Sequence, residues 1–357
     1  MTRSNQRDQA ASPAVGPDEL PEAIVLIGGS AGSLPPLLEL VAGLPPDLPA
    51  AVLIVLHRGD RAPNHMAEIL TRTGPLPASI AGDGELIRRG RIYIAPPRRH
   101  LLTGYGWIRL RNGPRVNRHR PAVDMLFAST VRWTGSRTVA VVLSGVLDDG
   151  AVGAALVARA GGRVLVQDPA EAAFANMPAA AFAAAPGAGA TPAGQLARGV
   201  LDQLAQLNRG TEPAPMHIHA GEADMGMADG DDPGFLAEDE TRLTRLVCPE
   251  CGGGLAQVDL PKISYFRCHT GHQYAPLTLA AAQAETSEAK LWSAVAALEE
   301  QAAMLRYLHD TSGTDRVDGT GNIERYAEEV ANRAATVREQ VQRWTAPILG
   351  QPEEPLD

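Results

Sequence analysis

The chain has 357 residues, a formal net charge of −9, 45% hydrophobic and 20% charged residues. This is an ordinary composition for a soluble globular protein, with length enough for two domains. It contains no apolar run long enough to cross a bilayer, and its polar start lacks the apolar stretch of a secretory signal, so membrane insertion is not expected and a cytoplasmic location is.

Residues 1–21 read as a disordered tail. Residues 22–207 then alternate strands and helices. Strands are predicted at 23–27, 51–56, 91–95, 138–143 and 163–166, each a short apolar run rich in Val, Ile and Leu. Helices are predicted at 34–44, 123–133 and 151–160. Pro35 and Pro36 are tolerated in the first turn of the first, where the N–H groups have no intrahelical partner. Residues 101–102 and 107–110, split by Gly104-Tyr105-Gly106, read as a hairpin. Buried strands alternating with helices imply an α/β fold, a doubly wound and mainly parallel sheet covered on both faces.

This segment carries 18 Arg and 13 Asp or Glu, so it is basic and the remainder strongly acidic. The division argues against a nucleic-acid binder and permits a basic cleft that receives an acidic protein surface. Residues 208–243 read as an acidic, flexible linker, with no Lys or Arg between Asp224 and Glu240. A compact Cys/His unit is expected at 244–276. Residues 277–346 read as an Ala-rich pair of helices broken at 310–321, and 347–357 as a second disordered tail. Leu291, Val295, Leu298, Ala302 and Leu305 form a seam on the first helix, suited to a helical hairpin, a homodimer contact or a signalling-protein partner.

Three chemically active side chains fall at predicted strand ends. Ser30 stands in Gly28-Gly29-Ser30-Ala31-Gly32, His57 follows Leu53-Ile54-Val55-Leu56, and Asp149 lies in Ser144-Gly145-Val146-Leu147-Asp148-Asp149-Gly150. In a parallel sheet the carboxyl ends of the strands share one edge, where ligands bind. A serine needs a base, imidazole is the usual one, and a buried carboxylate orients the imidazole. Backbone N–H groups at Ala31 or Val146 would receive an oxyanion. Each motif taken alone also reads as a tight turn, a satisfied polar group or a helix cap. The order Ser, His, Asp departs from the Ser, acid, His order of the α/β-hydrolases.

Residues 22–207 resemble the catalytic domain of the chemotaxis receptor methylesterases (CheB). The resemblance rests on Gly28–Ser33, His57, Tyr93-Ile94-Ala95-Pro96 with His100, Val116–Asp124, Ser144–Gly150, Gln167-Asp168 and Asn176-Met177-Pro178. It implies hydrolysis of glutamyl methyl esters on chemoreceptor helices, with glutamine deamidation as a related activity. No cofactor is implied for catalysis. Ser30 would be the nucleophile, His57 the base, Asp149 the orienting acid and the Val146 amide an oxyanion donor, while Arg118, His119 and Arg120 would line the substrate cleft. Ala31 replaces a usual Thr and Leu147 a usual Gly, which bears on rate. No receiver domain is read before residue 22. The alternatives are a catalytically weak signalling adaptor on the same fold and, behind it, a nucleotide-binding module.

All three cysteines lie between 248 and 268. Cys248, Cys251 and Cys268 with His272 have the spacing of a closed Cys3His zinc site with a structural role, whereas His269 adjoins Cys268 and is expected to point elsewhere. On this reading the unit is independent of the esterase domain, and chelation loosens it alone.

Overall fold

The computed structural model describes residues 21–58, 65–207, 241–312 and 323–344. The two predicted tails therefore lie outside the described residues, apart from Pro21. So does the acidic linker, except for 241–243.

Seven parallel strands form the central sheet: β1 (Ala23–Gly29), β2 (Ala50–Leu56), β3 (Ala78–Ile80), β4 (Ile92–Ile94), β7 (Thr138–Val142), β8 (Arg163–Gln167) and β9 (Gly189–Thr191). Their spatial order is β3-β4-β2-β1-β7-β8-β9, so the winding reverses between β1 and β7. The antiparallel hairpin β5 (His100–Gly104) and β6 (Trp107–Arg111) lies outside this sheet.

Alternation along each strand sends its side chains into two separate cores. Val25, Ile27, Val52, Ile54, Val139 and Val141 face one. This core is closed by helices α1 (Leu34–Ala42), α2 (Met66–Thr73) and α6 (Leu196–Leu207). Ile24, Leu26, Leu53, Val55, Ala140 and Val142 face the other. There α3 (Val123–Thr134), α4 (Ala151–Arg159), α5 (Asn176–Ala184) and the hairpin supply the cover. The predicted strands and helices of 22–207 are present within a residue or two of their expected ends. α2, β3, α5, β9 and α6 were not individually predicted.

The Cys/His segment is a four-stranded antiparallel sheet of β10 (Thr241–Val247), β11 (Gly254–Asp259), β12 (Ser264–Cys268) and β13 (Gln273–Tyr274). It begins at Thr241 rather than 244, because residues 241–243 already pair with β11. It is also not packed as a separate body. Val258, Leu260, Tyr265 and Ala275 belong to the same buried cluster as α3 and the hairpin, and the described residues up to Pro276 group as one compact unit.

Leu277–Asp357 is the second unit. In it α7 (Pro276–Ser312) and α8 (Ile323–Trp344) are joined by an Arg338–Glu299 ion pair. Along α7 the predicted seam is inward: Val295 and Ala302 are buried, and Leu291, Leu298 and Leu305 half-buried. Ile323, Ala327, Val330, Ala334 and Val341 make the matching stripe on α8. Among the described residues no helix is long and apolar enough to cross a membrane.

Candidate active site and Cys/His centre

β1 ends in Gly28-Gly29 and delivers Ser30 to the carboxyl edge of the sheet beside the winding reversal. The turn is tight enough to need small neighbours. A Cβ on Gly145 would stand 2.9 Å from the Ser30 Cβ and 2.1 Å from the Met177 sulfur. Gly32 has φ 71°, the left-handed region that glycine adopts without penalty. Ser144, at the end of β7, braces this turn. Its Oγ donates to the Ala31 carbonyl at 2.8 Å and accepts from the Phe174 N–H at 2.9 Å, while its own N–H donates to Gln167 Oε1 at 2.9 Å. The Ser30 N–H donates to the Ser144 carbonyl at 3.0 Å, tying the ends of β1 and β7 together. The N–H groups of Ala31 and Val146 have no acceptor among the described residues, which leaves both available to an oxyanion.

His57 follows β2, and its N–H donates to the Gly29 carbonyl at 3.0 Å. Its Nε2 lies 2.8 Å from Asp149 Oδ2. Both side chains are almost fully buried, 5% and 2% exposed. The Asp149 carboxylate is strongly held. Oδ2 also accepts from the Val123 N–H at 2.7 Å, and Oδ1 accepts from the Asp124 N–H at 3.0 Å and from Asn117 Nδ2 at 2.9 Å. The two amides open α3, so the carboxylate sits on a helix N-terminus, where a negative charge is favoured. Burial pushes the Asp149 carboxyl up, but its hydrogen bonds, first that to His57 and then that from Asn117, outweigh it. The group is held below the ordinary carboxylate range.

With Nε2 donating to Asp149, the ring nitrogen left to take a proton is Nδ1. It is buried and has no hydrogen-bond partner among the described residues. The structure thus brings His57 and Asp149 into direct contact and places Ser30 at the adjacent strand end, without a Ser30–His57 hydrogen bond. Catalytic contacts of this kind often tighten only when substrate binds.

His119 stacks on His57, with ring centroids 3.6 Å apart and planes 9° from parallel. Burial, then the neighbouring His57, lowers its pKa to about 3. The stack fixes the plane of the His57 ring. A cleft of about 430 Å³ opens here, lined by His57 and His119 and by Arg58, Arg98, Arg115, Arg118 and Arg120. Arg120 also donates to the carbonyls of Asn112 and Gly113 at 2.9 and 2.6 Å, holding the loop that carries Arg115 and Arg118.

Sequence reasoning did not single out Asn117, the stacking role of His119 or the helix amides that grip Asp149. The unbroken stretch Val116–Asp124 was the signal, and it marks one loop that touches every part of the His57–Asp149 pair. Asp124 is buried beside Asp149. Burial first, then that neighbouring charge, pushes its carboxyl well above the usual range. It accepts from Asn117 Nδ2 at 2.7 Å and from the Gly153 N–H at 2.7 Å.

The second site is compact. The ligand atoms of Cys248, Cys251, Cys268 and His272 all lie within 4.8 Å of one another. Cys251 Sγ is 3.6 Å from Cys268 Sγ, and His272 Nδ1 is 3.5 Å from Cys268 Sγ and 3.7 Å from Cys248 Sγ. These edges match a tetrahedron of Zn–S bonds of about 2.3 Å. His272 Nε2 is 3.1 Å from Glu250 Oε2, the outer carboxylate that commonly orients a metal-bound imidazole. Gly252 at φ 73° and Gly271 at φ 91° make the two turns that bend the thiols and imidazole inward. The His269 ring packs against Gly253, beside Cys251, and is not one of the four clustered donors. The donor set fits a closed four-coordinate metal.

Residues 25–200 match the family model described as CheB methylesterase. A protein-glutamate methylesterase/protein-glutamine glutaminase 2 of Anaeromyxobacter dehalogenans is 40% identical over 158 residues, covering 44% of this chain and 46% of the relative. A protein-glutamate methylesterase/protein-glutamine glutaminase of Pectobacterium atrosepticum is 33% identical over 229 residues, covering 62% and 61%. The chain thus spans about half to three-fifths of the length of these curated relatives. The crystal structure of the Thermotoga maritima CheB methylesterase catalytic domain is similar at 30% identity and a TM-score of 0.47, covering 50% of this chain and 97% of that one. Through residues 25–200, the chain belongs to the CheB methylesterase family.

Proposed function

We propose that this chain is a serine hydrolase that removes methyl esters from glutamate side chains of chemoreceptors, and that it also deamidates receptor glutamines. The observation that carries this is the buried 2.8 Å His57–Asp149 contact at the strand edge beside Ser30. An imidazole fixed at one nitrogen by a four-fold hydrogen-bonded carboxylate is a base oriented for one task. Ser30 Oγ attacks the ester carbonyl as His57 Nδ1 takes its proton. The Ala31 and Val146 amides receive the oxyanion. His57 returns the proton to the departing methanol, and water then cleaves the acyl-enzyme with the same base. The names of the relatives supply the substrate class, and the arginine-lined cleft suits an acidic receptor helix.

In the same reading, the Cys3His cluster holds a structural zinc through Cys248, Cys251, Cys268 and His272. All four positions are filled by protein atoms, so the metal supplies a cross-link and not a reaction centre. The test is methanol release from methylated receptor membranes by the full chain and by Ser30→Ala. Release by the wild type and a fall of at least about 10³-fold in the variant are expected. Equal release by both removes the esterase reading and leaves the adaptor.

A further inference from the structure

The Cys/His sheet and the candidate active site share one residue. Asn117, in the loop between β6 and α3, is 1% exposed and has φ 50°, a conformation rarely taken by a non-glycine residue. Its side-chain amide has two N–H donors, and both are used: one on Asp149 Oδ1, the other on Asp124 Oδ2. Its Oδ1 accepts from the Ala275 N–H at 2.7 Å, and its own backbone N–H donates to the Gln273 carbonyl at 2.8 Å. Val116 pairs with Gln273 in a parallel bridge. Residues 273–275 directly follow His272, and the His272 carbonyl accepts from the Cys268 N–H at 3.0 Å. The Tyr274 hydroxyl lies 3.4 Å from Cys248 Sγ. A continuous set of hydrogen bonds therefore runs from the metal-ligand cluster through 273–275 and Asn117 to Asp149 and His57.

We propose that the metal-closed Cys/His sheet is a working part of the esterase site, in which Gln273 and Ala275 orient Asn117 as the positioning residue for Asp149, so that esterase activity depends on metal occupancy. The inference rests on the esterase and metal readings above. Asn117 cannot choose its own orientation. Without the Ala275 N–H on Oδ1, its carbonyl loses the one donor it has among the described residues, and an unmet buried acceptor drives rearrangement. Its φ is likewise maintained by partners on the Cys/His sheet, because strained backbone persists only where its surroundings over-determine it. Loss of the metal frees 273–275, releases Asn117 and loosens the carboxylate behind the base.

The experiment uses the full chain with its metal content measured. Metal is removed from the wild type by a chelator, and metal-loaded Asn117→Ala and Ala275→Pro are made alongside. The proline deletes the one N–H that meets Asn117. Misplacing a catalytic group by about 1 Å costs roughly 10²-fold. We expect kcat for methanol release to fall by that order in all three, with KM unchanged. Exchange of the Val123 and Asp124 amides should quicken while β1 and β7 stay protected, and the downfield ring N–H resonance of the His57–Asp149 bond should be lost. Metal-free protein that keeps its kcat, its exchange at 117–124 and that resonance overturns the proposal. So does metal-loaded Ala275→Pro with full kcat. If metal-loaded wild type releases no methanol, the esterase reading fails instead, and the exchange and resonance data still decide the link.

Discussion

The central sheet and the Cys/His sheet of the first unit draw on very different amounts of buried apolar surface. β1 and β2 are buried at every position and feed two hydrophobic cores, one on each face. In the Cys/His sheet no position of β10 is buried, and β11 buries only Leu255 and Val258. Large cores hold their shape through area removed from water. The small sheet shares in that resource only through Val258, Leu260, Tyr265 and Ala275, so a covalent or metal staple would add much to its stability. The contrast fits the proposal that chemistry is mounted on the first sheet and that the second governs it. The second meets the loop behind Asp149 through a few directional hydrogen bonds, Ala275 N–H to Asn117 Oδ1 and Asn117 N–H to the Gln273 carbonyl among them.

Metal removal is the largest way to break this comparison. Structural zinc sites contribute on the order of 10 kcal/mol to folding of their units. After chelation, amide exchange across 241–275 should approach that of an open chain, while 23–29 and 138–142 remain protected. Equal protection of both sheets would show that the small one stands without metal.

Next in size is Asp149→Asn. The carboxylate accepts from His57, Asn117, Val123 and Asp124, and an amide in its place offers one acceptor oxygen and an opposing N–H. Loss of about 10⁴-fold in kcat is expected from the wrong imidazole tautomer. Steady-state kinetics on methylated receptors checks it, and a loss under tenfold would remove Asp149 from the orienting role.

Acid sharpens the comparison, because the first sheet's core can bury imidazoles as neutral groups. His100 is fully buried, donates from Nε2 to the Pro114 carbonyl at 2.8 Å and has its pKa lowered by burial from 6.5 to about 4. A depressed histidine binds its proton first in the unfolded state. Its stabilising effect is therefore complete above pH 6.5 and is lost as pH falls toward 4, with His119 extending the loss toward 3. Each such group adds a slope of up to about 1.4 kcal/mol per pH unit. Urea unfolding from pH 7 to 4 should show the slope, and His100→Gln, which keeps a donor but does not titrate, should flatten it.

The smallest effect concerns Leu147, whose φ of 64° lies in the left-handed region. A non-glycine residue there costs about 1–2 kcal/mol. Leu147→Gly should relieve part of this and lose part of a half-buried side chain. The net change in unfolding free energy should stay within about 1 kcal/mol. A larger loss would mean that Leu147 packs as a structural residue of the Asp149 loop.

Long apolar strands made the parallel sheet legible, since β1, β2 and β7 are buried at every position. β3 and β9 have three residues each and are only partly buried at most positions, too short to show a period. α5, Asn176–Ala184, is so rich in alanine that its two faces barely differ. The Cys3His spacing was visible because ligands come in local pairs. The seam of α7 was visible because its apolar residues recur at helical spacing.

What the sequence determined by itself is therefore local or periodic: the strands, the helices of clear amphipathic pattern, the strand-end positions of Ser30, His57 and Asp149, and the metal-ligand pairs. Tertiary structure alone decided that Asn117 faces Asp149, that His119 stacks on His57 and that Ala275 holds Asn117 from 158 positions away in the chain. A hydrogen bond between remote residues leaves no period in the sequence. It exists only where two independently folded surfaces present a donor and an acceptor within about 3 Å of each other.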